Sequence, residues 1–198
     1  MKKTALIGIA VAVVLVLGIA SSYNGLVSLE QGVRAQWGQV ENVYQRRADL
    51  IPNLVETVKG AANFEKETYT QVAEVRSKVV QISKDGVDKL LNDPQAFQKF
   101  QQAQGELSAA LGRLMAVSER YPDLKATANF RDLQTQLEGT ENRIAVERMR
   151  FNEAAQAFNT KRSRFPTVLF ASFFGDKFKE KPYFQAQAGA EVAPKVKF

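Results

Sequence analysis

Residues 130–158 read FRDLQTQLEGTENRIAVERMRFNEAAQAF. Phe130, Leu133, Leu137, Ile144, Phe151, Ala155 and Phe158 recur at steps of three, four and seven. That spacing lines one side of an α-helix and leaves the other sides polar. Lys161, Arg162 and Arg164 follow, cations suited to the negative end of a helix, and Phe165-Pro166 closes the run. An apolar stripe of this length needs partner helices to cover it.

The rest of the chain supplies them. Val33, Trp37, Val40, Val43/Tyr44, Leu50/Ile51, Leu54 and Val58 form a second stripe. Tyr69, Val72, Val79 and Ile82 form a third, ended by Lys84-Asp85-Gly86. Asp93-Pro94 is an N-cap with proline at the first helical position. It opens a fourth stripe of Phe97, Phe100, Leu107, Leu111, Leu114 and Tyr121, closed by Pro122 because the residue before proline avoids the helical region. A helix from Asn24 to Ser83 would span about 90 Å against about 40 Å for Pro94 to Arg120, so the first segment folds back once. Asp49-Pro52 and Gly60 are the two candidate breaks.

Ahead of the stripes, Met1-Lys2-Lys3-Thr4 precedes sixteen residues, Ala5 to Ala20, that are all apolar or glycine, ten of them Leu, Ile or Val. The uncharged run from Thr4 to Tyr23 is about 30 Å long as a helix, the thickness of a bilayer's hydrocarbon core. Its Leu, Ile and Val favour insertion by roughly 3–6 kcal/mol. Ala20-Ser21-Ser22 also fits a signal-peptide cleavage site, which would release a processed, secreted protein, but the run exceeds the usual apolar core of such peptides. Lys2 and Lys3 precede the run and the next charge is Glu30, so the positive-inside rule places the N-terminus in the cytoplasm. The bundle then lies on the outer face of a bacterial cell membrane, the inner membrane and periplasm in a Gram-negative cell. Two lysines are a modest bias, and the reverse orientation stays open.

The fold class that follows is all-α. Residues 1–23 form a short stub and single transmembrane helix, 24–166 an up-and-down four-helix bundle of long antiparallel helices, and 167–198 an aromatic, basic tail, flexible in part.

Tyr23-Asn24-Gly25-Leu26-Val27 and the block from Arg46 to Gly60, RRADLIPNLVETVKG, resemble the LemA family. So do Tyr121-Pro122-Asp123-Leu124-Lys125-Ala126, Thr140-Glu141-Asn142-Arg143-Ile144 and the Phe165-Pro166 ending. The resemblance implies a bacterial membrane protein with one N-terminal span and a four-helix bundle. It implies no reaction and no cofactor.

The composition narrows the chemistry. There are 27 basic and 21 acidic residues, no histidine and no cysteine. Disulfides, thiolate metal sites, Ser-His-Asp and Cys-His nucleophiles and Glu-x-x-His di-iron sites are all closed. The expectation is a non-enzymatic scaffold or adaptor without cofactor or metal, and the competing class is a hydrolase working with carboxylates alone. Arg46, Asp49, Asn53 and Glu56 fall on one helical face, a polar strip suited to a partner or simply a solvated face. Asp49 with Glu56 makes a poor cation site, two ligands on one helix. Arg47, Arg76, Gln104, Glu141 and Arg148 interrupt apolar stripes, and buried charges must pair, so they are candidates for internal polar layers that fix helix register.

The tail holds seven of the thirteen phenylalanines: Phe165, Phe170, Phe173, Phe174, Phe178, Phe184 and Phe198. Phe170, Phe173 and Phe174 are candidates for the membrane interface, with Lys177, Lys179 and Lys181 facing anionic lipid. Packing over the end of the bundle, or against a second copy in a homo-oligomer, are the alternatives, and nucleic acid has little place outside a membrane. Val196-Lys197-Phe198 has the form that strand-adding grooves capture at a free C-terminus, or is an ordinary loose end.

Overall fold

A computed structural model describes residues 2–61, 66–83 and 86–186. Its helices are α1 (Lys2–Ala61), α2 (Lys66–Ser83), α3 (Val87–Asn92), α4 (Pro94–Ser118), α5 (Pro122–Ala126), α6 (Ala128–Ser163) and α7 (Thr167–Phe173), with a 3₁₀ turn at Gly175–Phe178. The four long helices pack antiparallel in sequence order. Lys78 of α2 reaches Glu106 of α4 at 2.7 Å, and Gln36 of α1 donates to Glu147 of α6 at 2.7 Å. Further along α1, Arg46 meets Gln136 of α6, and Arg76 of α2 meets Ala48 of α1 while Lys59 stands over Tyr69, so numbers rise along one helix as they fall along its neighbour.

The break between the first two long helices is not at Asp49-Pro52. α1 runs unbroken from Lys2 to Ala61 with Pro52 inside it, which leaves the end beside Gly60. A proline here removes the N–H that would bond the carbonyl four residues back, that of Ala48. Arg76 of α2 fills the gap: its Nε donates to the Ala48 carbonyl oxygen at 3.1 Å. The helix therefore survives the proline because a neighbouring helix supplies the lost donor.

The other boundaries follow local chemistry. Asp93 caps α4, its Oδ1 accepting from the N–H groups of Gln95 at 2.9 Å and Ala96 at 3.3 Å. Gly86, at φ +90°, precedes α3 in the region glycine tolerates. Pro122 opens the short helix α5 rather than only closing α4, which ends at Ser118. Thr127 then caps α6 by accepting from the Phe130 N–H at 3.4 Å.

Two apolar clusters form the core. One is aromatic, built on Trp37, Phe97, Phe100, Phe151, Phe158, Phe178 and Phe184. The other is mostly aliphatic, built on Ile51, Leu54, Val72, Leu107, Leu111, Leu114, Phe130 and Leu137. Nearly every expected stripe residue is buried or half-buried within them. By contrast, residues 3–17 of α1 are exposed throughout. This one helix is long and apolar enough to cross a membrane, and it enters the bundle without interruption.

Candidate functional site

Between the two clusters lies a polar layer centred on Arg47, which is only 1% exposed. α1 delivers it one turn after Tyr44. Its Nη1 donates to Ser108 Oγ at 2.8 Å and to Glu141 Oε1 at 2.9 Å, and its Nη2 donates to Gln104 Oε1. The guanidinium also stands 5.1 Å over the Tyr44 ring. Three helices thus meet at one cation: α1 through Arg47, α4 through Gln104 and Ser108, and α6 through Glu141. Burial pushes the Tyr44 phenol above its ordinary value, against the pull of Arg148 and Arg47. A cavity of about 60 Å³ adjoins the layer, with Arg148 and Gln101 on its wall.

The sequence-derived candidates divide. Arg47, Gln104 and Glu141 come together in the layer. Arg76 does not join it; it serves the proline in α1. Arg148 is half-buried at the edge, its Nη2 donating to the Gln185 carbonyl at 2.8 Å and its guanidinium 4.7 Å over the Phe184 ring. Arg46, Asp49, Asn53 and Glu56 are all exposed, on one strip of α1. There Asp49 Oδ1 accepts from Gln45 Nε2 at 2.7 Å, and Lys59 pairs with Glu56 at 3.3 Å.

At the end of the bundle nearest the apolar segment, α7 packs on α1 and α6. Phe174 is half-buried, its ring 5.1 Å from that of Tyr23, and Lys177 Nζ donates to the Tyr23 hydroxyl. Phe170 and Phe173 lie in α7, and their side chains fall outside what the structure describes. Among the described residues, the most exposed apolar side chains here are Phe165, at 81%, and Leu169, at 60%, with Val168 less so. Val196 and Phe198 lie outside the described residues.

Lys181 departs from expectation. It does not face outward but is 1% exposed, its Nζ donating to Asn92 Oδ1 at 2.6 Å and Glu30 Oε1 at 3.2 Å. Burial pushes its ammonium below the usual lysine range, against the attraction of Glu30. Arg34 extends the cluster, pairing with Asp88 and standing 3.8 Å from Glu30. Phe184, three residues on, is buried against Trp37, Phe97 and Phe151. Sequence reading missed both as core residues, because a segment without helical period gives no sign of which side chains turn inward. The available signal was Lys-Pro-Tyr-Phe itself, two aromatic residues and a proline ahead of an Ala/Gln/Gly-rich end.

The LemA family model matches residues 36–198. The chain is similar to Magnetosome protein MamQ 1 of Paramagnetospirillum magneticum, 29% identical over 184 residues that cover 86% of this chain and 67% of that protein. It is 30% identical over 178 residues to Magnetosome protein MamQ of Magnetospirillum gryphiswaldense, covering 81% of this chain and 65% of the relative. To Protein LemA of Metamycoplasma hominis it is 25% identical over 138 residues, 70% of this chain and 58% of the relative. The matches thus span between 58% and 67% of these relatives' own lengths.

Proposed function

The chain belongs to the LemA family, and from that premise we propose that it is a membrane-anchored helical scaffold or adaptor, acting through protein and membrane-surface contacts rather than through catalysis. The observation that carries this reading is the continuity of α1. One helix bears an exposed apolar run, with Leu6, Ile7, Val14 and Leu17 each more than 60% exposed, and continues without a break into the bundle. An apolar surface of that extent is stable in a bilayer and a liability in water. The bundle is then held rigidly at the bilayer, on the outer face if Lys2 and Lys3 stay inside. The magnetosome names belong to the relatives; the membrane reading rests on this chain's own apolar run.

One protein-facing surface is the exposed strip of Arg46, Asp49, Asn53 and Glu56, while the buried Arg47 and Lys181 are engaged by neighbouring side chains. The reading is tested with a photo-crosslinking side chain at Asn53 in native membranes. A discrete adduct that disappears with Glu56→Lys supports it. Turnover of generic substrates by the purified protein, abolished by a single substitution of Asp49, Glu56, Glu138 or Glu141, would overturn it in favour of a carboxylate-dependent hydrolase.

A further inference from the structure

Residues 179–186 have no repeating secondary structure, yet the main chain of Lys181, Phe184 and Gln185 is held by paired hydrogen bonds. Three side-chain amides grip it, each with two bonds. Asn159 Nδ2 donates to the Lys181 carbonyl at 2.9 Å while its Oδ1 accepts from the Lys181 N–H at 2.8 Å. Asn152 does the same with Phe184, at 2.9 Å both ways. Gln101 of α4 does so with Gln185, at 2.7 and 3.3 Å.

The spacing explains the match. Asn152 and Asn159 are two turns apart on one face of α6, about 10.5 Å. Lys181 and Phe184 are three extended residues apart, about 10 Å. A primary amide offers one donor beside one acceptor, so a row of them at this pitch imitates the edge of a β-strand and reads an extended backbone whatever its sequence.

Sequence is read at two points. Lys181 enters the buried pocket of Glu30 and Asn92, with its Nζ also 5.1 Å over the Phe158 ring. Phe184 enters an aromatic box, its ring centroid 4.8 Å from Phe97, 5.4 Å from Phe151 and stacked at 6.2 Å on Trp37, with Arg148 above. Tyr183, between them, is exposed. Ordinary chain satisfies its backbone through a helix or a sheet; this segment is held as a receptor holds a peptide.

We propose that the groove between α4 and α6 is a recognition site for extended peptides bearing lysine and phenylalanine three residues apart, filled in the resting chain by its own residues 181–185. The occupant is a segment of a partner protein with that pattern, its cation complementary to Glu30, and it displaces the resident. The inference rests on the adaptor reading and names a second contact, apart from the strip on α1, through which the adaptor engages. The tethered resident lowers the apparent affinity for any incoming segment by the fraction of time the groove stands open.

The test uses the full chain in detergent micelles and a fluorescent octapeptide, Lys-Glu-Lys-Pro-Tyr-Phe-Gln-Ala, the sequence of residues 179–186. Phe184→Ala weakens the resident, so anisotropy should show saturable binding about tenfold or more tighter than to the wild type. Adding Asn152→Leu, or replacing lysine and phenylalanine in the peptide by alanine, should abolish it. Because Phe184→Ala also opens a cavity, a second route leaves the core intact. The chain has no cysteine, so Gln101→Cys with Gln185→Cys forms a lock across the groove; peptide should bind the reduced chain and not the oxidised one. A helical Phe184→Ala chain that ignores the peptide, or binding indifferent to Asn152→Leu or to the lock, overturns the proposal. Such a failure leaves the crosslink at Asn53 unaffected, and loss of that crosslink leaves peptide binding unaffected, so the two readings fail separately.

Discussion

Arg47 carries a full charge into a site with almost no access to water, where a cation is tolerated only if its donors are taken up. Ser108, Gln104 and Glu141 take up its two terminal nitrogens from two other helices, while its Nε is buried without a hydrogen bond, so the layer ties α1, α4 and α6 to one register. Arg47→Met strands a buried amide and leaves a carboxylate without its cation; urea unfolding should show a loss of about 2–4 kcal/mol. Adding Gln104→Leu and Glu141→Leu should restore most of that, since only the half-buried Ser108 hydroxyl then lacks its former partner. Tyr44 gives the same layer a pH signature. Its phenol is raised in the folded state, so between the ordinary value near pH ~10 and the folded value the unfolded chain sheds the proton while the native chain keeps it. The stabilisation is complete below the unfolded value and fades as pH climbs through the folded one. The stability difference between wild type and Tyr44→Phe should stay flat through neutral pH and fall only on the alkaline side.

The helices themselves were legible in the sequence wherever packing writes a period into it. The stripes through Val33–Val58, Phe97–Leu114 and Phe130–Phe158 became the core, and α6 ends at Ser163, just ahead of Phe165-Pro166. Pro52 was ambiguous because its tolerance is not local: the donor that replaces its missing N–H is Arg76, on another helix. A double-mutant cycle should expose that link. Arg76→Met should destabilise the wild type, and should cost about 1 kcal/mol less in a Pro52→Ala background, where the backbone satisfies Ala48 itself. The segment 181–185 was illegible for a related reason. Its bonds run from side chains of α4 and α6 to main chain, and neither partner leaves a periodic trace. Of the polar layer, sequence reading found Arg47, Gln104 and Glu141 as interruptions of apolar stripes, but it grouped Arg76 and Arg148 with them, because interruption reveals burial and not the identity of the partner. Phe184→Ala, which removes an aromatic plug from the Trp37 cluster, should cost about 3 kcal/mol in the same unfolding assay.

At the scale of the molecule, α1 is about 90 Å of uninterrupted helix, exposed over residues 3–17 and packed within the bundle further on. Phe174, just past α7, meets it at Tyr23, where the apolar run ends, and α7 presents Leu169 outward, with Phe165 exposed just before the helix. These side chains stand level with the headgroups if the run spans a bilayer, so a spin label at Leu169→Cys should be more accessible to oxygen than to an aqueous nickel reagent. Anchor and bundle form one rigid element in this account, and that claim has a direct test in a chain free of native cysteine. Single cysteines at Val14, Ser28 and Asn142, in full-length protein reconstituted into sealed vesicles, are challenged with a membrane-impermeant maleimide. Val14→Cys should resist labelling until detergent is added, whereas Ser28→Cys and Asn142→Cys should react together, both from outside the vesicle or both only after lysis, according to the orientation of each molecule. Ready labelling of Val14→Cys in intact vesicles, or Ser28 and Asn142 reacting from opposite sides, would contradict the account.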